Sequence, residues 1–230
     1  MSFCAPLNSQ TIEDFNTRTN KFDPDYKPGW STMDGYLSAL ENAGSTINIA
    51  AQVGHGTVRR SVMGMDPCMP TPEQLDHMKS LIAESLDAGA LGMSTGLWYP
   101  PGSYSLTDEV IAVTQPAADR GKLYSSHIRS EADDLSGLFP AHAEAIEVGR
   151  RTGARIQISH VKAVGPQFWG RGHELIEGME RARSEGIDVA GDQYPYEWSS
   201  TGFSGAMFAR WALVGGRKAT LERLADDDIR

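Results

Sequence analysis

Four polar residues that close successive apolar runs, Ser94, His127, His160 and Gln193, stand 33 residues apart each time. No sequence repeat accompanies the interval, so its origin is architectural. About 33 residues is what one strand, one crossover helix and two loops occupy. A chain that keeps this interval is committed to parallel strands joined by right-handed helical crossovers. Two architectures satisfy that rule: a (β/α) barrel and a doubly wound open sheet. The polar residues collect at the C-terminal end of every strand rather than at one switch point. The expectation is therefore an α/β fold, a TIM-type (β/α) barrel, with the open sheet as the alternative.

Apolar runs rich in Ile, Val, Ala or Ser predict strands over 47–55, 90–96, 123–128, 155–161 and 187–194. Helical periodicity fills the gaps over 32–43, 108–120, 140–151 and 174–185, with further helix over 207–213 and 218–225. The clearest helix opens at Thr71, with Pro72 at the first helical position and Gln74 three residues after the cap, a capping box. Its apolar stripe runs Leu75, Met78, Ile82, Leu86, and Gly89 supplies the left-handed stop. Residues 1–46 contain no convincing strand. Five strands make a partial barrel lacking its first and last strands, so 1–230 reads as one partial barrel domain with two open sheet edges.

Charge and cysteine usage narrow the partners. With 21 Lys+Arg against 30 Asp+Glu the formal charge is −9, and no basic stripe interrupts it, which argues against nucleic acid. No apolar run approaches a membrane span, and the first residues lack the profile of a secretion signal. Cys4 and Cys68 are too few for a disulfide scaffold. The reading is a cytoplasmic protein acting on a small molecule, with self-association through the open edges as a further expectation.

Strand alternation places Leu123, Ser125 and His127 on one face, and likewise aligns Ile156, Ile158, His160 and Lys162. Two histidines at equivalent heights on neighbouring parallel strands, roughly 5 Å apart, are predicted to share a Zn²⁺ with positions left for a third ligand and a water. His55 either lines the pocket or stabilises a turn. His77, His142 and His173 fall among polar helical residues and are expected in solvent. Asp192 reads as a structural hydrogen-bonding residue at a strand end. Cys4 and Cys68 have no partner at ligand spacing.

Five motifs then carry a resemblance: Val53-Gly54-His55-Gly56-Thr57-Val58-Arg59, Gly89-Ala90-Leu91-Gly92-Met93-Ser94-Thr95-Gly96-Leu97-Trp98-Tyr99-Pro100-Pro101-Gly102, Ser126-His127-Ile128-Arg129-Ser130-Glu131, Ile158-Ser159-His160-Val161-Lys162 and Asp192-Gln193-Tyr194-Pro195-Tyr196. In this order they resemble the D-aminoacylase, or N-acyl-D-amino-acid deacylase, family of the amidohydrolase superfamily. The resemblance implies a zinc-dependent hydrolase of amide bonds on a TIM barrel. It matches His127 and His160 to the zinc-binding histidines, Lys162 to the lysine that holds the substrate carboxylate, and Tyr99 and Tyr194 to tyrosines lining the substrate pocket. The family's His-x-His pair, its cysteine ligand and its general-base aspartate have no counterpart here; Cys4 lies just after the ligand position and is not assigned to metal. No catalytic residue is therefore expected, and the isolated chain is expected to be weakly active or inactive. The alternatives are a non-catalytic fragment that assembles through its sheet edges and a dihydroorotase-like hydrolase of cyclic amides.

Overall fold

In the computed structural model, which describes residues 5–9, 11–20, 22–134 and 136–229, the helices and strands alternate as the spacing requires. Helices α1 (Ile12–Thr19) and α2 (Met33–Ala43) precede strand β1 (Gln52–Gly54). Then follow α3 (His55–Met63), α4 (Pro72–Asp87), β2 (Gly92–Gly96), α5 (Thr107–Ala118), β3 (Leu123–His127), α6 (Leu138–Thr152), β4 (Arg155–Ile158), α7 (Gly172–Ser184) and β5 (Val189–Gly191). The chain closes through α8 (Phe203–Met207), a 3-10 turn at Arg210–Leu213 and α9 (Gly216–Ala225). Helix α1 was not expected from the sequence. The predicted helix over 207–213 divides instead into α8 and the 3-10 turn.

All five strands are parallel and lie in the order β1-β2-β3-β4-β5. Sequential order without a reversal is what separates a barrel-type winding from a doubly wound sheet, whose order turns back at a switch point. The helices agree, since α3 packs on α4, α4 on α5, α5 on α6 and α6 on α7. They form one layer that follows the strands. Between layers the core is made by Val53, Met93, Tyr124, Ile156, Ile158 and Val189 from the strands and by Met78, Ile82, Val110, Val113, Ala145 and Met179 from the helices.

Local chemistry explains the main boundaries. The Thr71 hydroxyl accepts from the Gln74 backbone N–H, and the Gln74 side chain accepts from the Thr71 backbone N–H at 2.9 Å, so two otherwise orphaned donors at the start of α4 are satisfied. Gly92 permits close approach of β2 to β3: a Cβ there would stand 2.1 Å from the Leu123 carbonyl oxygen. The strands are shorter than the apolar runs. The run over 47–55 yields strand only at Gln52–Gly54, and His55, expected at the strand end, begins α3. Among the described residues, no helix is long and apolar enough to cross a membrane.

Candidate metal centre

The face of the sheet away from the helices is polar. Ser94, Ser125 and Gln157 are register partners across β2, β3 and β4, and Gln52 Nε2 donates to Ser125 Oγ at 2.9 Å. These side chains floor a cavity of about 1290 Å³. His127, His160, Tyr99 and Asp192 stand on its wall at the C-terminal ends of the strands.

The two histidines meet, although not by the alternation expected from the sequence. Ser125 pairs with Gln157 and Ser126 with Ile158, so the strand position beside His127 belongs to Ser159. Residues Ile156 and Ile158 point to the helices, and a straight continuation of β4 would turn His160 the same way. Strand β4 instead ends at Ile158, and His160 takes φ +40°, the one non-glycine positive φ among the described residues. Such a conformation is costly for a residue with a Cβ and persists where neighbours hold it. Here the holder is Asp192. Its Oδ1 accepts the His160 backbone N–H at 2.7 Å, while its Oδ2 accepts from Gln157 Nε2 at 2.7 Å. The result brings His127 Nδ1 to 2.8 Å from His160 Nε2.

Three further groups converge on the pair. Glu131 Oε1 lies 3.0 Å from His160 Nδ1 and 3.9 Å from His127 Nδ1. Lys162 Nζ donates to Glu131 Oε1 at 2.6 Å and to the His160 carbonyl at 3.1 Å, and lies 2.9 Å from His160 Nδ1. The ring of Tyr99 lies 5.1 Å from that of His127, and the ring of Tyr194 lies 6.4 Å from that of His160. Lys162 Nζ stands 5.5 Å from the Tyr194 ring centre. Tyr99 Oη is hydrogen-bonded to Thr201 Oγ1 at 2.7 Å. All five residues singled out in the sequence are thus neighbours.

The loop that carries Glu131 is anchored on both sides. Arg129 makes a two-pronged ion pair with Glu144 on α6, Nε to Oε2 at 2.9 Å and Nη2 to Oε1 at 2.8 Å. Ser130 Oγ donates to Asp134, whose Oδ2 also accepts from Trp98 Nε1 at 2.6 Å. The Val164 N–H donates to the Glu131 carbonyl at 2.8 Å.

These groups fit a divalent cation. Burial pushes the His127 imidazole down to about 4, against the nearby Glu131 carboxylate, so the ring is neutral at physiological pH, as a ligand must be. Two nitrogens on one tetrahedral zinc stand roughly 3.3 Å apart, close to the 2.8 Å observed. Ligand atoms of His127, Glu131 and His160 all lie within 4.8 Å of one another. For Glu131, burial works against ionisation, but hydrogen bonds from His160 and Lys162 hold its carboxyl below the usual range.

Comparisons with known proteins identify relatives of the chain. An N-acyl-D-glutamate deacylase of Alcaligenes xylosoxydans xylosoxydans is 40% identical over 174 residues, which cover 76% of this chain and 35% of that protein. The crystal structure of N-acyl-D-glutamate deacylase from Bordetella bronchiseptica, complexed with zinc and a phosphonate mimic of the tetrahedral intermediate, superposes with a TM-score of 0.72 at 36% identity. It matches 84% of this chain and 39% of the other. The chain is homologous to part of the D-aminoacylases. A D-aminoacylase crystal structure superposes with a TM-score of 0.68 at 34% identity, over 73% of this chain and 34% of that one. The chain spans about a third of the length of these D-aminoacylase relatives. No protein-family model matches it.

Other expectations separate at this point. His77 and His173 are exposed, as expected. His142 is not: it is 4% exposed between α6 and α7, because its position three residues before Ala145 puts it on the apolar side of α6. His55 is fully buried, with Nε2 2.9 Å from Glu109 Oε1, and belongs to the packing beneath the cavity. Asp192 is the structural acceptor that the sequence suggested. Cys4 lies outside the described residues, and Cys68 is an exposed free thiol. Glu131 was not singled out. A carboxylate four residues beyond a strand-end histidine was the available signal.

Proposed function

We propose that this chain carries part of the active site of a zinc-dependent N-acyl-D-amino-acid deacylase, and that 1–230 forms part of a single amidohydrolase (β/α) barrel domain. The observation that carries the reading is the 2.8 Å approach of His127 Nδ1 to His160 Nε2 on the wall of the cavity, in a chain homologous to such enzymes. His127 and His160 would hold the zinc, which when bound supplies Lewis acidity and a water acidified toward neutrality. The substrate class is a small N-acyl amino acid. Lys162 would take its carboxylate, its ammonium exchanging one of the contacts it makes to Glu131 and His160 for the substrate. Tyr99 and Tyr194 would wall the substrate on either side of the histidines and help exclude water. The amide thus positioned reacts in an effectively intramolecular geometry. Taken with the acidic composition and two cysteines, the reading is of a cytoplasmic protein.

Among the described residues, β1 and β5 have no outer neighbour, and this favours a second reading in which the chain works by pairing its sheet edges with another chain or its own copy. The experiment is deacylation of N-acetyl-D-amino acids with added Zn²⁺, together with zinc stoichiometry, for the wild type and His160→Ala. Zinc binding and turnover that both vanish in the variant support the deacylase. Zinc stoichiometry unchanged by His160→Ala overturns it, and absent turnover with a concentration-dependent oligomer favours assembly.

A further inference from the structure

The loop after β2 carries Trp98 and Tyr99, and the loop after β3 carries Asp134. The two loops meet side chain to side chain where Trp98 Nε1 donates to Asp134 Oδ2 at 2.6 Å. We infer that Trp98 is a positioning residue: pinned by Asp134, its indole holds the Tyr99 ring against His127 as a fixed wall of the cavity. The inference rests on the proposed role of Tyr99 beside the substrate and deepens it.

The rings of Trp98, Tyr99 and His127 form a triangle, with centres 5.0, 5.1 and 6.4 Å apart. Trp98 and Tyr99 meet at 85°, the edge-to-face arrangement that the charge distribution of aromatic rings favours. The backbone at Tyr99 is fixed by the turn after β2, its N–H donating to the Gly96 carbonyl at 3.2 Å and its carbonyl accepting from the Ser103 N–H at 2.9 Å. What remains to be set is the side chain. Its hydroxyl is tied to Thr201 Oγ1 at 2.7 Å, but that oxygen lies on the axis of the ring, so the bond leaves the ring free to turn. The edge-to-face contact with Trp98 opposes that turn. Gly205 of α8 packs over both rings from another side: a Cβ there would stand 3.2 Å from Tyr99 Cε1 and 3.3 Å from Trp98 Cζ3.

A buttress works only if it is itself held. The indole N–H is a donor alone and Asp134 supplies its acceptor. Asp134 is restrained in turn by Ser130 Oγ, which donates to its other carboxylate oxygen, and by its own carbonyl, which accepts from the Gly137 N–H at 2.7 Å just before α6. The restraint therefore runs from the start of α6 through Asp134 and Trp98 to Tyr99. A second tie between the loops, Arg129 Nη1 to the Ser103 carbonyl, is long at 3.4 Å and reaches the chain beyond Tyr99. Space filling is the competing role of Trp98. A filler needs the volume of the ring and is indifferent to its N–H, whereas a pinned buttress fails when the N–H or its acceptor is removed.

The test uses the full chain as wild type, Trp98→Phe, Asp134→Ala and Asp134→Asn, with Tyr99→Leu as the reference that lacks the ring. Proton NMR of the zinc-free chain reads the His127 imidazole shifts, which the Tyr99 ring current displaces, and the Overhauser contacts between the two rings. Binding of N-acetyl-D-glutamate to the zinc-loaded chain is read by calorimetry. In Trp98→Phe and Asp134→Ala most of the shift difference between wild type and Tyr99→Leu is expected to disappear, and N-acetyl-D-glutamate to bind up to about tenfold more weakly, the worth of one aromatic contact. Asp134→Asn, whose carbonyl oxygen still accepts from the indole, retains the wild-type shifts. Wild-type shifts and ring contacts in both Trp98→Phe and Asp134→Ala overturn the inference. If wild type shows the ring contacts but its zinc-loaded form does not bind N-acetyl-D-glutamate, the substrate role of Tyr99 fails instead, and the shifts still decide the role of Trp98. Should Trp98→Phe not fold, the two Asp134 variants decide, and identical His127 shifts in wild type and Asp134→Ala are then the overturning result.

Discussion

The side chain of Asp192 accepts the backbone N–H of His160 at 2.7 Å, at the residue whose φ of +40° turns the imidazole toward His127. One hydrogen bond therefore supports a conformation that costs about 1–3 kcal/mol on its own. Asp192→Ala is expected to loosen the loop after β4, with faster amide exchange at 159–162 and weaker zinc binding, and to lower global stability by only about 1 kcal/mol. Asp192→Asn keeps an acceptor oxygen and should resemble the wild type. Native-state hydrogen exchange and chelator competition check both; protection at 159–162 unchanged in the alanine variant would contradict the assignment.

Glu109 on α5 is buried with Arg59 and His55 of α3, accepting from Arg59 Nε at 3.0 Å and lying 2.9 Å from His55 Nε2. Arg59 also donates to the Asp66 and Cys68 carbonyls, at 2.9 and 2.6 Å, and so pins the loop before α4. Burial opposes ionisation of Glu109, but the His55 hydrogen bond and the Arg59 charge hold it below the usual carboxylate range. Removing the carboxylate leaves a guanidinium in the interior without its counter-charge. Glu109→Ala is expected to cost about 3–5 kcal/mol, read by urea unfolding. Glu109→Leu with Arg59→Met should recover much of that loss, since an apolar replacement leaves no buried charge.

His142 gives the fold a pH dependence of known sign. Burial between α6 and α7 pushes its imidazole down from 6.5 to about 4, so the unfolded chain binds a proton more readily than the folded one between those values. Stability from this residue is complete above about pH 6.5 and falls as the pH drops toward 4. The difference between pH 7 and pH 5 is about 2 kcal/mol, because each tenfold difference in proton affinity between the folded and unfolded chain is worth about 1.4 kcal/mol. His142→Gln should flatten that part of the profile relative to wild type in urea titrations at the two pH values. Parallel profiles would show that the buried ring does not stay neutral.

Much of this was legible in the sequence because it depends on local chemistry or on a period. The interval of 33 residues, the capping box at Thr71 and the alternation of apolar runs with helical stripes determined an α/β fold of parallel strands, and the sequential strand order then decided for a barrel-type winding over an open sheet. The motifs carried the resemblance and singled out His127, His160, Lys162, Tyr99 and Tyr194, which the structure places as neighbours. Strand ends were overextended, since an apolar run continues into a loop without ceasing to be apolar. Only the tertiary structure decided how the histidines meet. Period-two alternation describes side chains while the backbone stays extended, and it put His160 level with His127 without registering that Ile156 and Ile158 face the helices. The left-handed turn at His160, held by Asp192 from the next strand end, restores the contact. Glu131 and Asp192 act through bonds to residues about thirty positions away, and His142 is buried by a helix packed against its own. Such contacts arise from three-dimensional proximity, which no periodicity along the chain encodes.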